Sequence, residues 1–329
     1  MVPIDFPLER THRYIHNVGA SLVASRIAEV LRAHSVESEF GEKANAKCKT
    51  SDMVSFRIRM YAGGEHGEPV VVEVQRRNGP ASSFMKTCRA LLAAAEGKPE
   101  PQRTPHPFVT KPVMHMKCLE SVMSKNIVDA AQEALKGVME MLHSNKFDQH
   151  VLALENLVAL TDPIKTSTTV ALKVAKCVAL GDKSHDLRDD VRVLMERDDF
   201  AGAEEGPLRH SETLRQLSLQ AFSNALELCA KDGSLKDAVD NEGWFCDTLI
   251  PNLLDEVRRA SRSSCTAYCS TVCLSSLAAC SEKVRRSLID NGAYDVLREA
   301  EKFGSSRHEL MADEAKRCME YLHVAATAT

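Results

Sequence analysis

The sequence predicts an α+β domain followed by an all-α array of helical repeats. Apolar residues alternate with polar ones over parts of the first hundred residues and recur at helical spacing over most of the rest. A proline-rich segment separates the two regions. Aromatic residues make up only 5% of the 329 residues, and this scarcity argues against a β-sandwich.

The first domain is predicted over residues 1–97, in the order helix, three-stranded antiparallel sheet, helix. Apolar side chains first follow a helical period, then alternate or form a Val-rich run, and finally return to helical spacing. Glycines within 63–68 supply a hairpin turn. We expect both helices to cover one face of the sheet. The predicted elements are a helix over 18–35, strands over 35–50, 53–64 and 67–79, and a helix over 81–97.

A stiff linker is predicted over residues 98–116. Proline has no backbone N–H and restricts the preceding residue to extended conformations, so no regular helix or central strand crosses this segment. The prolines concerned are Pro99, Pro101, Pro105, Pro107 and Pro112.

The region 117–329 is predicted to be repetitive because the sequence matches itself. Leu226, Cys229 and the pair Asp240-Asn241 recur as Leu277, Cys280 and Asp290-Asn291. The offset of about 50 residues is near the roughly 40 to 47 residues of armadillo and HEAT repeats. One helical hairpin cannot bury its apolar stripe alone, whereas stacked hairpins share a continuous core. The acidic segment 198–212 contains Gly and Pro and is expected to be a loop.

The first domain resembles a known family. The stretch LRAHSVESEFGEKANAKCKT, the strands VSFRIRMY and VVVEVQRRNG, and the helix SSFMKTCRALL are together similar to the kinase-associated C-terminal domain over residues 18–96. The resemblance implies an α/β module that binds anionic phospholipids or packs against a kinase or a regulatory subunit. The sequence contains no kinase domain, which is a departure from the family pattern.

The region 117–325 resembles armadillo repeats, in which a short helix precedes two longer antiparallel helices. The resemblance implies a concave groove for a protein partner. Asn156 and Asn224 lie where peptide-binding armadillo proteins place asparagines that bond to the ligand backbone. The tryptophan that accompanies such asparagines is missing, since the single Trp244 lies near a predicted turn. The alternative interpretation is that both asparagines are ordinary solvated residues.

A basic face of the predicted sheet is a second candidate site. Side chains alternate along a strand, so Arg57 and Arg59 share one face. The same alternation predicts that the lysines of the preceding strand lie beside them, namely Lys43, Lys47 and Lys49. Each cation contributes on the order of 1 kcal/mol to binding an anionic membrane before screening by salt. The alternative is a solvated charged face, in which glutamates of neighbouring strands pair with the cations.

The remaining candidate motifs are interpreted as structural. Cys265, Cys269 and Cys273, with Cys280, fall on one helix face, but no second cysteine pair with zinc spacing follows. His12 and His16 lack the acidic partner of a helical zinc motif. The segment VRRASRSS places Ser261 after Arg258 and Arg259, which resembles the site of an arginine-directed kinase. The alternative there is an unmodified loop.

These observations predict a non-enzymatic adaptor whose helical repeats bind a protein partner, while the first domain docks to a kinase, a regulatory protein or an anionic membrane. The alternative is a peripheral membrane-targeting protein that binds anionic phospholipid through the basic sheet face. A net charge of −4 makes nucleic acid an unexpected partner. No catalytic residue, metal or cofactor is predicted. Without a signal-peptide pattern or a long apolar span, we expect a cytoplasmic protein with reduced cysteines.

Overall fold

A computed structural model describes residues 11–61, 69–99, 120–181, 186–196 and 205–326. The chain divides into two compact units. The first contains residues 1–112 together with 302–312, and the second contains 113–301 together with 313–329. Residues 100–116 of the predicted linker lie outside the described residues.

The first unit is built on one antiparallel sheet with two helices on one of its faces. Apolar side chains of α1 and α2, such as Val23, Ile27 and Leu91, pack with Phe56 and Val72 of the sheet. The sheet order is β1-β5-β4-β3-β2, and every neighbouring pair is antiparallel. The elements are β1 (His12–Ile15), α1 (Ala20–Ala33), β2 (Glu37–Gly41), β3 (Asn45–Lys49), β4 (Ser55–Tyr61), β5 (Val70–Asn78) and α2 (Ala81–Ala95).

The sheet has five strands, so the prediction of three was wrong. The stretch 35–50, predicted as one strand, folds back at residues 42–44 into the hairpin β2–β3. This turn contains no glycine, and Ala44 adopts the left-handed conformation with φ of +46°. Because the turn lacks the residues that favour this conformation, the alternation continues through it without a visible break. The four-residue strand β1 was also not predicted, and the glycines at 63–67 lie outside the described residues.

The second unit consists of helices. The long helix α7 packs against α4, α5, α6 and α10, and α10 also packs against α9 and α11. The helices are α3 (Glu120–Leu142), α4 (Phe147–Leu160), α5 (Thr168–Ala179), α6 (Leu187–Glu196), α7 (Glu205–Asp232), α8 (Leu235–Asn241), a π-helical segment (Phe245–Leu249), α9 (Ile250–Arg258), α10 (Ser264–Cys280), α11 (Glu282–Asp290), α12 (Ala293–Arg307) and α13 (Glu309–Ala326). No helix in the described ranges is both long and apolar enough to cross a membrane.

Helix α10 is buried on all sides because its residues are small or apolar all round. Thirteen of the residues in SCTAYCSTVCLSSLAAC are Ser, Thr, Cys or Ala, and nearly all of this helix lies away from solvent. Small side chains let neighbouring helices approach closely, and the hydroxyls of Ser270 and Thr271 donate to backbone carbonyls four residues earlier. Cys265, Cys269 and Cys273 therefore belong to the packed core, while Cys280 at the end of the helix is half-buried.

The two segments that match in sequence share local structure. Leu226 and Leu277 are both fully buried near the ends of α7 and α10. Asn241 at the end of α8 and Asn291 after α11 each donate from Nδ2 to the carbonyl oxygen four residues earlier, at 2.7 Å in both cases. The order of helices is also shared, because a short helix, a helix of intermediate length and a long helix occur in this order as α8, α9, α10 and again as α11, α12, α13.

Helix α7 begins at Glu205, so the prediction of a loop over 198–212 was wrong for its second half. Pro207 lies in the first turn of this helix. Proline is tolerated there because the first backbone N–H groups of a helix have no intrahelical partner. Residues 197–204 lie outside the described residues.

Residues 302–312 belong to the first unit and form the corner between α12 and α13. The backbone N–H of Leu310 donates to the hydroxyl of Ser35, at 2.9 Å, and Arg32 lies 3.7 Å from Glu309. Helices α12 and α13 approach closely at this corner: a Cβ added to Gly304 would lie only 2.6 Å from the backbone nitrogen of Ala312. Glycine, which has no side chain, allows this approach.

Candidate functional site

A groove of about 960 Å³ opens in the second unit where α8, the π-helical segment, α9 and α11 meet the end of α10. Its wall includes Asp247 of the π-helical segment and Pro251 of α9. π-Helical turns are rare and occur frequently at functional sites. We refer to this feature as the α8–α11 groove.

Hydrogen bonds join the two sides of the α8–α11 groove. Ser281 caps α11, since its Oγ accepts the backbone N–H of Val284 at 3.3 Å. The same hydroxyl donates to Oδ1 of Asp240, and Nζ of Lys283 donates to the Asp240 carbonyl oxygen at 3.2 Å. The end of α8 is therefore attached directly to the start of α11.

The turn that leads into the π-helical segment is held by an aromatic and cationic cluster. The guanidinium of Arg192 lies 3.6 Å from the centroid of the Trp244 ring, which is a cation–π contact. Glu242 accepts hydrogen bonds from both Arg188 and Arg192, and the Trp244 indole N–H donates to Glu196 at 2.9 Å. Trp244 thus lies near a turn, as expected, and helps to position the groove wall.

The α8–α11 groove presents charges of both signs that the described part of the fold does not neutralise. Within that part, Lys236, Lys283 and Arg285 have no carboxylate partner, and Asp247 and Asp290 have no cationic partner. Arg285 instead donates to the Ala278 carbonyl oxygen at 2.7 Å. Charges left unpaired at the edge of a groove are available to charges on a partner.

Two thiols line the α8–α11 groove, Cys246 and Cys280. Burial raises the pKa of Cys280 to about 11, so this side chain is a neutral thiol near pH 7. Burial likewise raises the pKa of Cys269 to about 11, and it raises the pKa of Cys273 well above the usual range of a thiol. The described residues contain no group of three His, Cys, Asp or Glu side chains arranged to hold a metal ion.

The predicted cationic face of the sheet is present on the side opposite α1 and α2. Lys47 pairs in register with Arg57, Lys49 with Ser55, and Arg59 lies two residues further along β4. Lys43, predicted to share this face, instead lies in the turn at 42–44, because the chain needs those residues to reverse direction between β2 and β3.

Glutamates of the neighbouring strands offset part of the positive charge on this face. Nζ of Lys47 donates to Glu39 at 3.0 Å. Arg59 lies 4.0 Å from Glu73, which also accepts from the Tyr61 hydroxyl at 3.4 Å. Arg57 has no carboxylate partner within the described residues. The sheet face is therefore a mixed surface that carries charges of both signs.

The two predicted groove asparagines lie in different surroundings. Nδ2 of Asn224, on α7, donates to the Thr161 hydroxyl at 3.3 Å and approaches the Val158 carbonyl oxygen at 3.5 Å. This amide nitrogen therefore joins α7 to the end of α4 and is occupied within the fold. Asn156 is exposed on α4. Their role in binding a peptide backbone stays a prediction.

The α8–α11 groove was not predicted as a site, although one signal of it was visible in the sequence. Asp240 and Asp290, the aspartates of the recurring Asp-Asn pair, both line it. The repeat match identifies these positions as equivalent, but only the packing of α8 against α11 brings them to one groove.

No protein-family model matches this chain, and no curated protein or solved structure matches it either. The resemblances to armadillo repeats and to the kinase-associated C-terminal domain therefore stay predictions.

Proposed function

We propose that the protein is a non-enzymatic adaptor that holds a partner protein on its helical unit, with the α8–α11 groove as the principal contact. The observation behind this proposal is the set of charges in the groove that lack partners within the described residues. Lys236, Lys283 and Arg285 suit acidic side chains of a partner, while Asp247 and Asp290 suit basic ones. The groove thus matches a segment of protein that contains charges of both signs.

Stacked helical repeats are the second part of the proposal. The order of a short, a middle and a long helix occurs twice, and a hydrogen bond of the same kind, from Asn241 and from Asn291, accompanies each occurrence. We propose that these helices stack as armadillo-like repeats, because a core shared between neighbouring repeats is what makes single helical hairpins stable. The groove then lies where one repeat meets the next, within the second unit.

Charge reversal in the α8–α11 groove tests the proposal. We expect Lys236→Glu with Lys283→Glu to reduce capture of specific partners by the full-length protein by tenfold or more, since hydrogen bonds to charged groups contribute about 1.5 to 3 kcal/mol each. The measurement is quantitative affinity capture by mass spectrometry. The matched control is Lys302→Glu with Lys316→Glu, which makes the same charge change at two exposed lysines of α12 and α13.

The comparison of the two double variants decides the outcome. Proteins lost from the groove variant but retained by the control are groove partners. Equal recovery by the wild type and the groove variant, or equal loss from both variants, would remove the groove from the proposal.

A second candidate function is attachment to anionic membranes through the sheet face. It is favoured by the side of the sheet opposite α1 and α2, where Lys47, Lys49, Arg57 and Arg59 lie together. We expect Arg57→Glu with Arg59→Glu to lower binding to phosphatidylserine vesicles by about thirtyfold or more, at on the order of 1 kcal/mol per cation lost. Flotation at low and at physiological ionic strength measures this, because salt screens exposed charges. A wild type that does not float at low salt would exclude this candidate.

A further inference from the structure

We infer that Ser261 is the phosphoacceptor of an arginine-directed protein kinase, and that its phosphate withdraws Arg262 from α7. Ser261 lies in the turn between α9 and α10, which we define as residues 259–263. The inference concerns regulation of the helical unit and does not depend on the adaptor proposal.

The structure distinguishes Ser261 from the neighbouring serines. Ser261 is exposed, and its hydroxyl has no hydrogen-bond partner in the described part of the chain. The Ser263 hydroxyl lies 2.8 Å from that of Thr266, and Ser264 is only 7% exposed as α10 begins. A kinase needs a hydroxyl that can enter its active site, and of these three serines only Ser261 offers one.

The arginines that such a kinase reads are also accessible. Arg258 and Arg259, three and two residues before Ser261, have side chains that are 50% and 49% exposed. Arg258 pairs with Asp255 within α9, and Arg259, at the start of the turn, pairs with Glu256 of α9. The Arg258–Asp255 pair is exposed and such pairs contribute about 0 to 1 kcal/mol, so exchanging this carboxylate for one of a kinase costs little. Glu256 is buried but also pairs with Arg215, so it keeps a cationic partner when Arg259 turns to the kinase.

The modification is a phosphoryl transfer from a nucleoside triphosphate held by the kinase. Oγ of Ser261 attacks the γ-phosphorus, and a new oxygen–phosphorus bond forms. The bond from that phosphorus to the bridging oxygen breaks, the nucleoside diphosphate leaves, and the hydroxyl proton passes to the base of the kinase. The product adds a charge of about −1.5 to −2 to the turn at pH 7.

The phosphate is expected to change how the turn is joined to α7. Arg262 donates to Glu212 of α7 at 2.6 Å, and their side chains are 74% and 59% exposed. This pair is easily exchanged because both groups are solvated. A phosphate on the residue next to Arg262 has more charge and more acceptor oxygens than the Glu212 carboxylate, so Arg262 moves to the phosphate.

The test is phosphorylation of the folded, full-length protein by the catalytic subunit of cyclic-AMP-dependent protein kinase with ATP, followed by mass-spectrometric mapping. We expect phosphate at Ser261, its loss in Ser261→Ala, and its retention in Ser263→Ala. Arg258→Ala with Arg259→Ala should lower kcat/KM for the modification by tenfold or more, since two charge-assisted contacts are lost. A peptide spanning 255–265 measures recognition without the fold.

Three results would overturn the assignment. They are phosphate only on Ser263 or Ser264, phosphorylation of the peptide but not of the folded protein, and failure of both to accept phosphate. The effect on α7 is measured separately by hydrogen exchange. Phosphorylated protein should exchange the amides at 211–216 faster than Ser261→Ala treated in the same way. Equal exchange would show that Arg262 keeps Glu212 and would overturn the second half of the inference.

Discussion

At the residue scale, His308 shows how a single buried side chain holds a helix corner. It immediately precedes α13, is fully buried, and its Nδ1 accepts the backbone N–H of Met311 at 3.3 Å. Burial lowers the pKa of His308 from 6.5 to about 4. The imidazole is therefore neutral in the folded protein near pH 7, with Nδ1 as the acceptor.

His308 is expected to make the folded protein less stable in acid. The unfolded chain binds a proton at this side chain below about pH 6.5, whereas the folded chain does so only near pH 4. The unfolded state therefore holds more protons in this interval, and stability falls as the pH drops through it. The shift corresponds to about 3 kcal/mol of unfolding free energy lost between the two pH values.

The substitution His308→Asn isolates this contribution. Asparagine caps helices well and does not titrate, so the variant should lose the part of the pH dependence that belongs to His308. Urea denaturation at several pH values between about 4 and 6.5 measures the difference from the wild type. Carboxyl groups titrate in both proteins and cancel in the comparison. If the free energy of unfolding changes with pH equally steeply in both proteins, the expected role of His308 is contradicted.

At the element scale, the hairpin β2–β3 contains a backbone conformation that its residue type disfavours. Ala44 has a φ of +46°, and its carbonyl oxygen accepts the backbone N–H of Met60 at 2.9 Å. A left-handed conformation costs an L-residue about 1 to 2 kcal/mol, but glycine adopts it without that cost. The hydrogen bond to β4 holds the turn in place despite the strain.

The variant Ala44→Gly is expected to stabilise the protein by about 0.5 to 1 kcal/mol, because relief of strain exceeds the added entropy of the unfolded chain. The control is Ala46→Gly, a buried position in β3 that should lose stability instead. Urea denaturation followed by circular dichroism measures both variants. If both variants lower the free energy of unfolding by the same amount, the conformation of Ala44 does not reduce the stability of the protein.

Elements with a clear period are where prediction from the sequence succeeded. Both helices of the first unit and the β4–β5 pairing follow from apolar spacing, because each face of such an element is determined by residues close together in the chain. The prediction failed at β1, which is too short to show a period, and at the 42–44 turn, which lacks glycine. Those features depend on strands that pair only after the chain has folded.

At the scale of the whole molecule, packing controls the chemistry of the cysteines. Of the ten described cysteines, nine are buried and Cys280 is half-buried. Burial raises the pKa of Cys48 and Cys318 to about 12 and that of Cys88 and Cys229 to about 11. A thiol with a pKa near 11 has about 300 times less thiolate at neutral pH than one near 8.5.

We expect Cys280 to be the first of the described cysteines to react with a maleimide in the folded protein, and the eight described cysteines that do not line the α8–α11 groove to react only after unfolding. Reaction at Cys280 should speed up about tenfold per pH unit below its raised pKa, because the thiolate is the reactive form. Labelling of native and urea-unfolded protein, resolved by peptide mass spectrometry, measures this. Labelling of Cys269 or Cys273 at the rate of Cys280 would show that α10 is not packed as described.

By itself, the sequence determined the two kinds of secondary structure, the side of the sheet on which Lys47, Lys49, Arg57 and Arg59 lie, and the match between Asp240-Asn241 and Asp290-Asn291. Each of these follows from the spacing of residues along the chain. Only the tertiary structure decided that Asn224 is bonded to the end of α4, that Ser261 is exposed beside buried Ser264, and that α8 and α11 enclose a groove. The physical reason is that burial and pairing depend on residues far apart in the chain, and their spacing in sequence does not specify which of them meet.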